Sequence, residues 1–283
     1  MSAGQAGSRP WAVIAGASSG TGAAIAVQVA RKPGLHVFGM HRGRYLEQAA
    51  EVERQVLATG RRMVMMRGDA GTPEGVARGA DALLAAAGPR SVKLFVHALA
   101  SASVGRFIVG DQPPLHPRQL ARTFESMAHS FVYWAQALVE RDLLTPSARL
   151  LGLTNPLTES LLHNTGAITA SKAALEIYVR HLALELGPLG HRVNLLKFGT
   201  VMTPAIRHVY TPEVLARMEE AHRRINPAGR MCTLEEVARI IPALLGDEAE
   251  WFNGATIDFT GGMTLRLLDL VLNEQGGPPA SGG

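Results

Sequence analysis

Three glycines near the start of the chain have the spacing of a phosphate-binding turn. Gly16, Gly20 and Gly22 follow a short apolar run, and a stretch typical of a helix begins among them. Glycine permits a tight turn and lets backbone amides approach a phosphate, which the positive end of a helix attracts. Such a turn also occurs without a ligand, but the order of strand, turn and helix favours a dinucleotide site. The residues predicted to form it are Gly16, Ser18, Ser19, Gly20, Thr21 and Gly22.

The elements that must position this turn alternate along the chain as short aliphatic runs and alanine-rich helical stretches, a pattern typical of βαβ units around a parallel sheet. The predicted strands are Trp11–Ala17, His36–His41, Arg62–Arg67, Val92–Ala98, Arg149–Thr154, Arg192–Phe198 and Ala255–Phe259. The predicted helices are Gly20–Arg31, Leu46–Thr59, Pro73–Ala87, Pro117–Arg141, Gly166–Gly187 and Leu234–Leu245. We therefore predict an α/β fold, a single Rossmann-type doubly wound parallel sheet of about seven strands, with its ligand at the carboxyl ends of the strands.

The domain boundaries follow from composition. Residues 10–272 are predicted to form one dinucleotide-binding domain, and residues 204–230 to be a helical insertion rather than a second domain. Residues 1–9 are predicted to be a flexible N-terminus, and the Gly/Pro-rich residues 273–283 to be a disordered tail.

Several segments, in register along residues 10 to 265, resemble the short-chain dehydrogenase/reductase superfamily. Ala15–Gly22 resembles its glycine motif, with Ala15 where threonine is usual, and Ser171–Leu175 matches the segment of its active-site lysine. Phe95–Ala100 is similar to the fourth strand in the form seen in enoyl-acyl-carrier-protein reductases. The other matching segments are Gly68–Ala70, Arg192–Asn194, Gly199–Thr203 and Ile257–Gly262.

This resemblance implies a nicotinamide dinucleotide cofactor. It implies that Lys172 binds the nicotinamide ribose, that Asp69 lies beside the adenine, and that residues 203–230 are a substrate lid. The further cofactor contacts that it implies are Ala70, Ala98, Gly199, Val201 and Thr203. By analogy with relatives, the helix that carries Phe124 and Trp134 and the helix of the lysine form subunit contacts, so a homo-oligomer, a dimer or tetramer, is expected.

The end of the second predicted strand bears on the choice between NAD and NADP. NAD-specific sites usually place an acidic residue there, to bind the adenosine ribose hydroxyls. In this chain the position is occupied by Met40, His41 and Arg42, with Arg44 close by. Arginine pairs well with a 2′-phosphate, although the two arginines could also be solvated loop residues. We predict NADP, with NADPH preferred over NADH.

The catalytic signature implied by the resemblance is incomplete. A tyrosine is expected on the helix face of the lysine, four residues before it in the main branch and seven in enoyl reductases; these positions hold Ile168 and Thr165. The other usual polar partner, after the fifth strand, is replaced by Thr154 or Asn155. Because a phenol that donates a proton contributes roughly 10²- to 10⁴-fold, other donors must face the substrate oxygen. The candidates are Thr165, Asn155, Thr154 and a ribose hydroxyl held by Lys172.

Histidine is an alternative proton donor, since it titrates near neutrality. His163 lies just before the lysine helix and is a catalytic candidate, whereas His97 ends the fourth strand. Either could equally be a loop or packing residue, because neither has a predicted activating partner. Tyr178 and Tyr133 are predicted to pack rather than to react, since Tyr178 is turned well off the lysine face.

Composition excludes several other classes of protein. The net charge is +4, but the basic residues are scattered, so we expect no nucleic acid partner. No apolar run approaches the roughly 18 residues needed to cross a membrane, and the start lacks the core of a signal peptide. Cys232 is the only cysteine, which precludes an intramolecular disulfide, and the histidines have no metal-ligand spacing. We predict a cytoplasmic protein that does not associate with a membrane and holds no metal ion.

Three functions remain open from the sequence. The first is an atypical NADP-dependent reductase that transfers hydride to a carbonyl or enoyl group, with a small molecule or acyl thioester of fatty-acid or polyketide-type metabolism as substrate. The second keeps the dinucleotide without net redox chemistry, as a dehydratase, cyclase or isomerase. The third is a catalytically inactive NADP-binding regulatory module, because Lys172 and the glycine turn could persist for binding alone.

Overall fold

A computed structural model describes residues 9–108, 113–159 and 161–266. Apart from Arg9, the predicted flexible N-terminus and the predicted tail lie outside the described residues. Seven parallel strands form one sheet in the order β3-β2-β1-β4-β5-β6-β7. The strands are β1 Trp11–Ala15, β2 His36–His41, β3 Met63–Arg67, β4 Val92–His97, β5 Leu144–Thr154, β6 Arg192–Phe198 and β7 Thr256–Phe259. The strand order reverses between β1 and β4, where this fold leaves a crevice for ligands.

Helices cover both faces of the sheet. They are α1 Gly20–Arg31, α2 Leu46–Leu57, α3 Pro73–Ala87, α4 Pro117–Phe124, α5 Ser130–Glu140, α6 Gly166–Leu186, α7 Pro204–Val209, α8 Pro212–Ile225 and α9 Leu234–Ile240. Buried residues of α1, α2 and α9 form one core with one face of the sheet, and those of α3, α5 and α6 form a second core on the other. The fold class predicted from the sequence is therefore confirmed. The nearly all-apolar strands follow from burial on both faces.

Several predicted boundaries differ from the observed ones; the helix predicted to Leu245, for example, ends as α9 at Ile240 and is followed by a 3₁₀ turn, Ile241–Leu245. Three of the differences have a local reason. β1 ends at Ala15, two residues early, because Gly16 has φ of +96° and leaves the strand direction. β5 begins at Leu144 rather than at Arg149, since Leu144 already pairs with Val92 of β4. The long helix predicted from Pro117 to Arg141 contains a π turn at Glu125–His129 between α4 and α5.

At the π turn, a side chain donates a hydrogen bond to a backbone carbonyl of the preceding helical turn. The hydroxyl of Ser130 donates to the carbonyl of Ser126 at 2.8 Å. A hydroxyl that bonds back in this way competes with the backbone pattern and bends helices. No periodicity of apolar residues reports such a bond, and this explains why the sequence predicted an unbroken helix.

Trp134 is the largest side chain shared between the sheet and this helix. It is fully buried, its ring stacks on that of Phe95 with centroids 5.5 Å apart, and its indole Nε1 donates to the carbonyl of Ala70 at 3.0 Å. Ala70 lies in the turn after β3, so Trp134 joins α5 to the carboxyl edge of the sheet.

We expect Trp134→Ala to lower the free energy of unfolding by about 3–5 kcal/mol, because it opens a cavity and leaves a buried carbonyl unpaired. Trp251→Ala is the matched control: that ring is 98% exposed, so its loss should cost within about 0.5 kcal/mol. Urea unfolding followed by circular dichroism measures both. Equal losses for the two variants would contradict the packing described here.

Candidate functional site

The glycine turn is so tight that two of its glycines have no space for a side chain. A Cβ on Gly22 would lie 2.0 Å from the Gly16 carbonyl oxygen, and a Cβ on Gly16 would lie 2.8 Å from that of Ala98. The amides of Gly16 and Ala17 both donate to the carbonyl of Met40, at 3.0 Å each. The turn is thus fixed between the ends of β1, β2 and β4.

The amino end of α1 is open to an anion. Ser19 precedes the helix in an extended conformation, and its hydroxyl makes no capping hydrogen bond to it. The first amides of a helix need acceptors from outside it, and Ser19 does not supply one here. The arrangement fits the pyrophosphate of a dinucleotide, with Gly20 and Thr21 at the helix start and Ser18 nearly buried beside them.

At the edge where β2 and β3 end, the structure brings two predicted adenosine contacts together. Arg42 Nη1 lies 3.9 Å from Asp69 Oδ2, and Asp69 Oδ1 accepts the amide of Gly71 at 2.9 Å. His41 is nearly buried, and its Nδ1 accepts the amide of Gly43 at 3.2 Å. Burial and the nearby Arg67 lower the pKa of His41, so its ring is a neutral part of the turn.

Arg67 is a residue that the sequence reasoning did not single out. Parallel pairing sets it beside His41, and a Cβ on Gly43 would lie 2.8 Å from Arg67 Nε. The guanidinium therefore lies against the backbone of the loop that carries Arg42 and Arg44. The signal was available, because Arg67 is the last residue of the third predicted strand and parallel strands end at the same edge.

The other predicted cofactor residues lie along this carboxyl edge. The Ala98 amide donates to the carbonyl of Ala15 at 2.9 Å, and Ala70 accepts the indole of Trp134. Gly199 and Val201 are buried after β6. Thr203 caps α7 by accepting the amide of Ile206 at 3.2 Å. These contacts place backbone rather than reactive side chains along the edge.

Lys172 is buried on α6, and its ammonium group donates to the carbonyl of Leu153 at 2.7 Å. Burial lowers the pKa of Lys172 to about 8, against a smaller opposing effect of Glu176 one turn further along α6. The group is thus mostly charged at neutral pH. An ammonium group has three donors, so two remain for other acceptors.

Two polar side chains follow Leu153 at the end of β5. The hydroxyl of Thr154 is buried and has no hydrogen-bond partner within the described part of the chain. Asn155 Oδ1 accepts the amide of Leu157 at 3.1 Å and so caps a short 3₁₀ turn, Pro156–Thr158. The amide nitrogen of Asn155 keeps two donors for the cleft.

The two positions where a tyrosine is expected, Thr165 and Ile168, do not provide a free proton donor. The hydroxyl of Thr165 donates to the carbonyl of Leu162 at 2.8 Å, so its hydrogen is already used. Ile168 supplies only a carbonyl, which accepts from Ser171. His163 is exposed on the loop before α6.

His97 is a packed residue, as one of the two readings of the sequence had it. Its Nε2 lies 2.8 Å from the Ser130 hydroxyl, which itself donates to Ser126; Nε2 must therefore carry the proton. Burial and the charge of Lys172 lower the pKa of His97 to about 3. The ring is neutral at physiological pH and cannot act as an acid there.

The tyrosines pack together, in agreement with their predicted role. Tyr178 of α6 shares a hydrogen bond of 3.0 Å with His129 Nδ1 in the π turn. The Tyr133 ring lies 6.5 Å from that of His129. Both tyrosines are half-buried on the joint face of α5 and α6, away from the glycine turn.

Known proteins resemble this chain over most of its length. A family model described as enoyl-(acyl carrier protein) reductase matches residues 16–264. The chain is 31% identical over 261 residues to 1-cyclohexenylcarbonyl-CoA reductase of Streptomyces collinus. The aligned region covers 91% of this chain and 88% of that protein. The chain belongs to the short-chain dehydrogenase/reductase superfamily. The prediction made from its motifs is confirmed, and its relatives are oxidoreductases, several of them named as reductases.

Further relatives agree with this assignment. Versicolorin reductase 1 of Aspergillus parasiticus is 26% identical to this chain over 259 residues. The aligned region covers 89% of this chain and 95% of that protein. The L-sorbose reductase of Gluconobacter frateurii, solved with NADPH and L-sorbose, superposes with a TM-score of 0.79 at 22% identity, over 90% of this chain and 97% of that one. At that identity the superposition shows the shared fold.

The described residues provide neither a metal-binding cluster nor a membrane-spanning helix. They contain no group of three or more His, Cys, Asp or Glu side chains that could hold a metal ion. Within the same residues, no helix is both long and apolar enough to cross a membrane.

The burial of Lys172 leads to a testable titration. The chain has lysine only at Lys32, Lys93, Lys172 and Lys197, so the ¹³Cε signals of its lysines can be resolved and assigned by NMR. We expect Lys172 to titrate near pH 8, where an ordinary lysine has a pKa of 10.5. Because the unfolded chain binds this proton up to higher pH, the free energy of unfolding should rise from pH 8 to 10.5, and Lys172→Met should remove that rise. A midpoint near 10.5 would rule out the buried position.

Proposed function

We propose that this protein is an NADPH-dependent reductase of enoyl thioesters. The observation that carries the proposal is the arrangement of Lys172, Thr154 and Asn155 at the same sheet edge as the glycine turn. A dinucleotide laid across that edge from Gly16 toward β5 would bring its nicotinamide ribose to Lys172. The match to the enoyl reductase family model supports this choice.

The chemistry divides between the cofactor and the protein. When bound, the nicotinamide supplies the hydride. Lys172 orients the ribose with the donors that Leu153 does not use, and its positive charge stabilises negative charge on the substrate. The Asn155 amide and the unpartnered Thr154 hydroxyl donate to the thioester oxygen as it becomes an enolate oxygen. The Lys172 ammonium group holds the proton that the product requires, next to the place where the ribose would bind.

The substrate class is supported by the relative from Streptomyces collinus, named for a 1-cyclohexenylcarbonyl-CoA substrate. That compound has a double bond conjugated to a thioester, so its reduction passes through an enolate. Residues 203–230, which contain α7 and α8, are proposed as the substrate lid, and a second copy is proposed to cover the face of α5 and α6.

The preference for NADPH rests on the arginines where β2 and β3 end. Arg42 lies 3.9 Å from Asp69, the guanidinium of Arg67 lies against the Gly43 backbone, and Arg44 is exposed on the same loop. Three guanidinium groups around one turn suit the 2′-phosphate, which NADH lacks.

Calorimetric titration with NADPH and NADH tests the phosphate site. We expect the wild-type protein to bind NADPH more tightly. Arg67→Ala should weaken NADPH binding by about 10- to 100-fold, the value of a lost charge-assisted hydrogen bond, and leave NADH binding within about twofold. Arg54→Ala, on the exposed face of α2, is the control and should change neither. A variant that weakens both cofactors alike would contradict phosphate recognition by Arg67.

The reductase activity is tested with NADPH and 1-cyclohexenylcarbonyl-CoA, following NADPH absorbance and the mass of the product. Asn155→Asp keeps the oxygen that caps Leu157 but loses the amide donor. We expect it to lower kcat by about 10²- to 10³-fold, as for other lost oxyanion donors. Thr165→Val should change kcat by less than about threefold, because that hydroxyl already donates to Leu162. If Thr165→Val abolished activity instead, Thr165 would be the catalytic hydroxyl.

A second candidate function is favoured by the absence of a phenol at Ile168 and Thr165. The protein would then bind the dinucleotide without net redox chemistry, as a lyase or isomerase, or as a regulatory module. Tightly bound cofactor together with a product at the oxidation level of the substrate would identify the enzyme. NADPH binding with no turnover of any thioester, and turnover gained by Thr165→Tyr, would identify the module.

A further inference from the structure

A buried lysine outside the catalytic group joins two separate parts of the site. Lys197 lies near the end of β6, between Thr154 of β5 and Asp258 of β7 in the strand register. Its side chain is only 8% exposed, and its Nζ pairs with Asp258 Oδ2 at 2.9 Å and with Glu159 Oε1. Burial disfavours the ammonium ion, but the two carboxylates outweigh burial and raise the pKa of Lys197.

On one side of Lys197, the pair with Glu159 holds the 3₁₀ turn after β5. Glu159 follows this turn directly, and its amide donates to the carbonyl of Pro156 at 3.0 Å. The turn has a second attachment to α6, where the hydroxyl of Thr158 donates to Glu176 at 3.3 Å. Asn155 caps the same turn with its side-chain oxygen. The direction of the Asn155 amide is therefore set by a turn that is held at its far end.

On the other side, Asp258 leads to the end of α8. Asp258 Oδ1 accepts both the amide and the hydroxyl of Thr260, at 2.9 and 2.6 Å. The carbonyl of Thr260 accepts the side-chain amide of Asn226 at 3.4 Å. Asn226 is buried just after α8, and its own amide donates to His222 on that helix.

We infer that Lys197 is a positioning residue: through Glu159 it sets the turn that carries Asn155, and through Asp258, Thr260 and Asn226 it anchors the end of α8. The inference rests on the proposed function for the catalytic role of Asn155 and the lid role of α8. The connection itself consists of hydrogen bonds and ion pairs, whatever the substrate.

Charge explains why this position needs a cation. Without the ammonium ion, Glu159 and Asp258 would face one another across the space that it fills, and like charges repel. Both carboxylates are about half exposed, so each would turn to water rather than stay in place. The expected consequence is a loosened turn and a loosened end of α8, while the buried strands remain paired.

Hydrogen exchange read by mass spectrometry tests the connection on the full-length protein without cofactor or substrate. In Lys197→Met, the amides of residues 155–159 and 222–228 should exchange about tenfold faster, with the strands unchanged. Glu159→Gln should affect only the first segment, and Asp258→Asn only the second. Arg141→Met, which breaks an ion pair with Asp81 far from the site, is the control and should change neither. Uniformly faster exchange, or none in these two segments, would overturn the inference.

Kinetics then separate positioning from simple loss of stability. With the thioester assay, Lys197→Met should lower kcat about tenfold or more and leave the NADPH dissociation constant within about twofold, and Lys197→Arg should restore most of kcat. Weakened NADPH binding, or an unchanged kcat, would contradict the role. If the wild-type protein does not reduce thioesters, the proposed function fails while the exchange experiment still decides whether Lys197 makes the connection.

Discussion

The close approach of Gly22 to the Gly16 carbonyl oxygen is the constraint on which the site depends. It lets α1 begin directly above the end of β1, so that the open end of the helix meets the crevice where the strand order reverses. A side chain at Gly22 would push the helix away from both β1 and β4, and the amides of its first turn would no longer converge. Every residue proposed to bind the dinucleotide takes its place relative to that turn. Lys172 donates to Leu153 of β5, two strands along the sheet from β1, and we propose that a dinucleotide bound at the turn reaches it there.

Burial then decides which of the polar groups at this edge are available for chemistry. Thr165 uses its hydrogen within the loop, and His97 uses its one ring hydrogen on Ser130. The ammonium group of Lys172 keeps free donors and lies close to its midpoint of ionisation at neutral to slightly alkaline pH. The buried hydroxyl of Thr154 has no partner among the described residues, which is costly unless a ligand completes it. The hydrogen bonds that these side chains already make, rather than their positions along the helix, therefore decide which predicted catalytic candidates keep a free donor.

The sequence predicts those features that depend on local pattern. Apolar runs and alanine-rich helices were enough for all seven strands and for their parallel direction, and they placed Lys172 on a helix, as the structure has it. The start of β5 and the π turn at Glu125–His129 were missed because a strand partner and a side-chain bond determine them. Arg67 was missed although its position at the end of the third predicted strand pointed to this edge of the sheet. Lys197 was missed because its partners Glu159 and Asp258 lie on other segments of the chain. Features formed within one segment can thus be predicted from the sequence, whereas contacts between segments cannot be predicted from residue spacing.

The absence of a phenol bears directly on the kind of substrate. Hydride addition to a ketone produces an alkoxide, which needs a proton donor directly at that oxygen, and the phenol that would supply it is replaced by Ile168 and Thr165. Hydride addition to an enoyl thioester produces an enolate, whose charge is delocalised and whose proton is finally taken by carbon. Fixed donors such as the Asn155 amide and the nearby positive charge of Lys172 are sufficient to stabilise that oxygen. The groups retained at this edge therefore fit the enoyl reaction better than the carbonyl reaction, and this favours thioester reduction over ketone reduction for this chain.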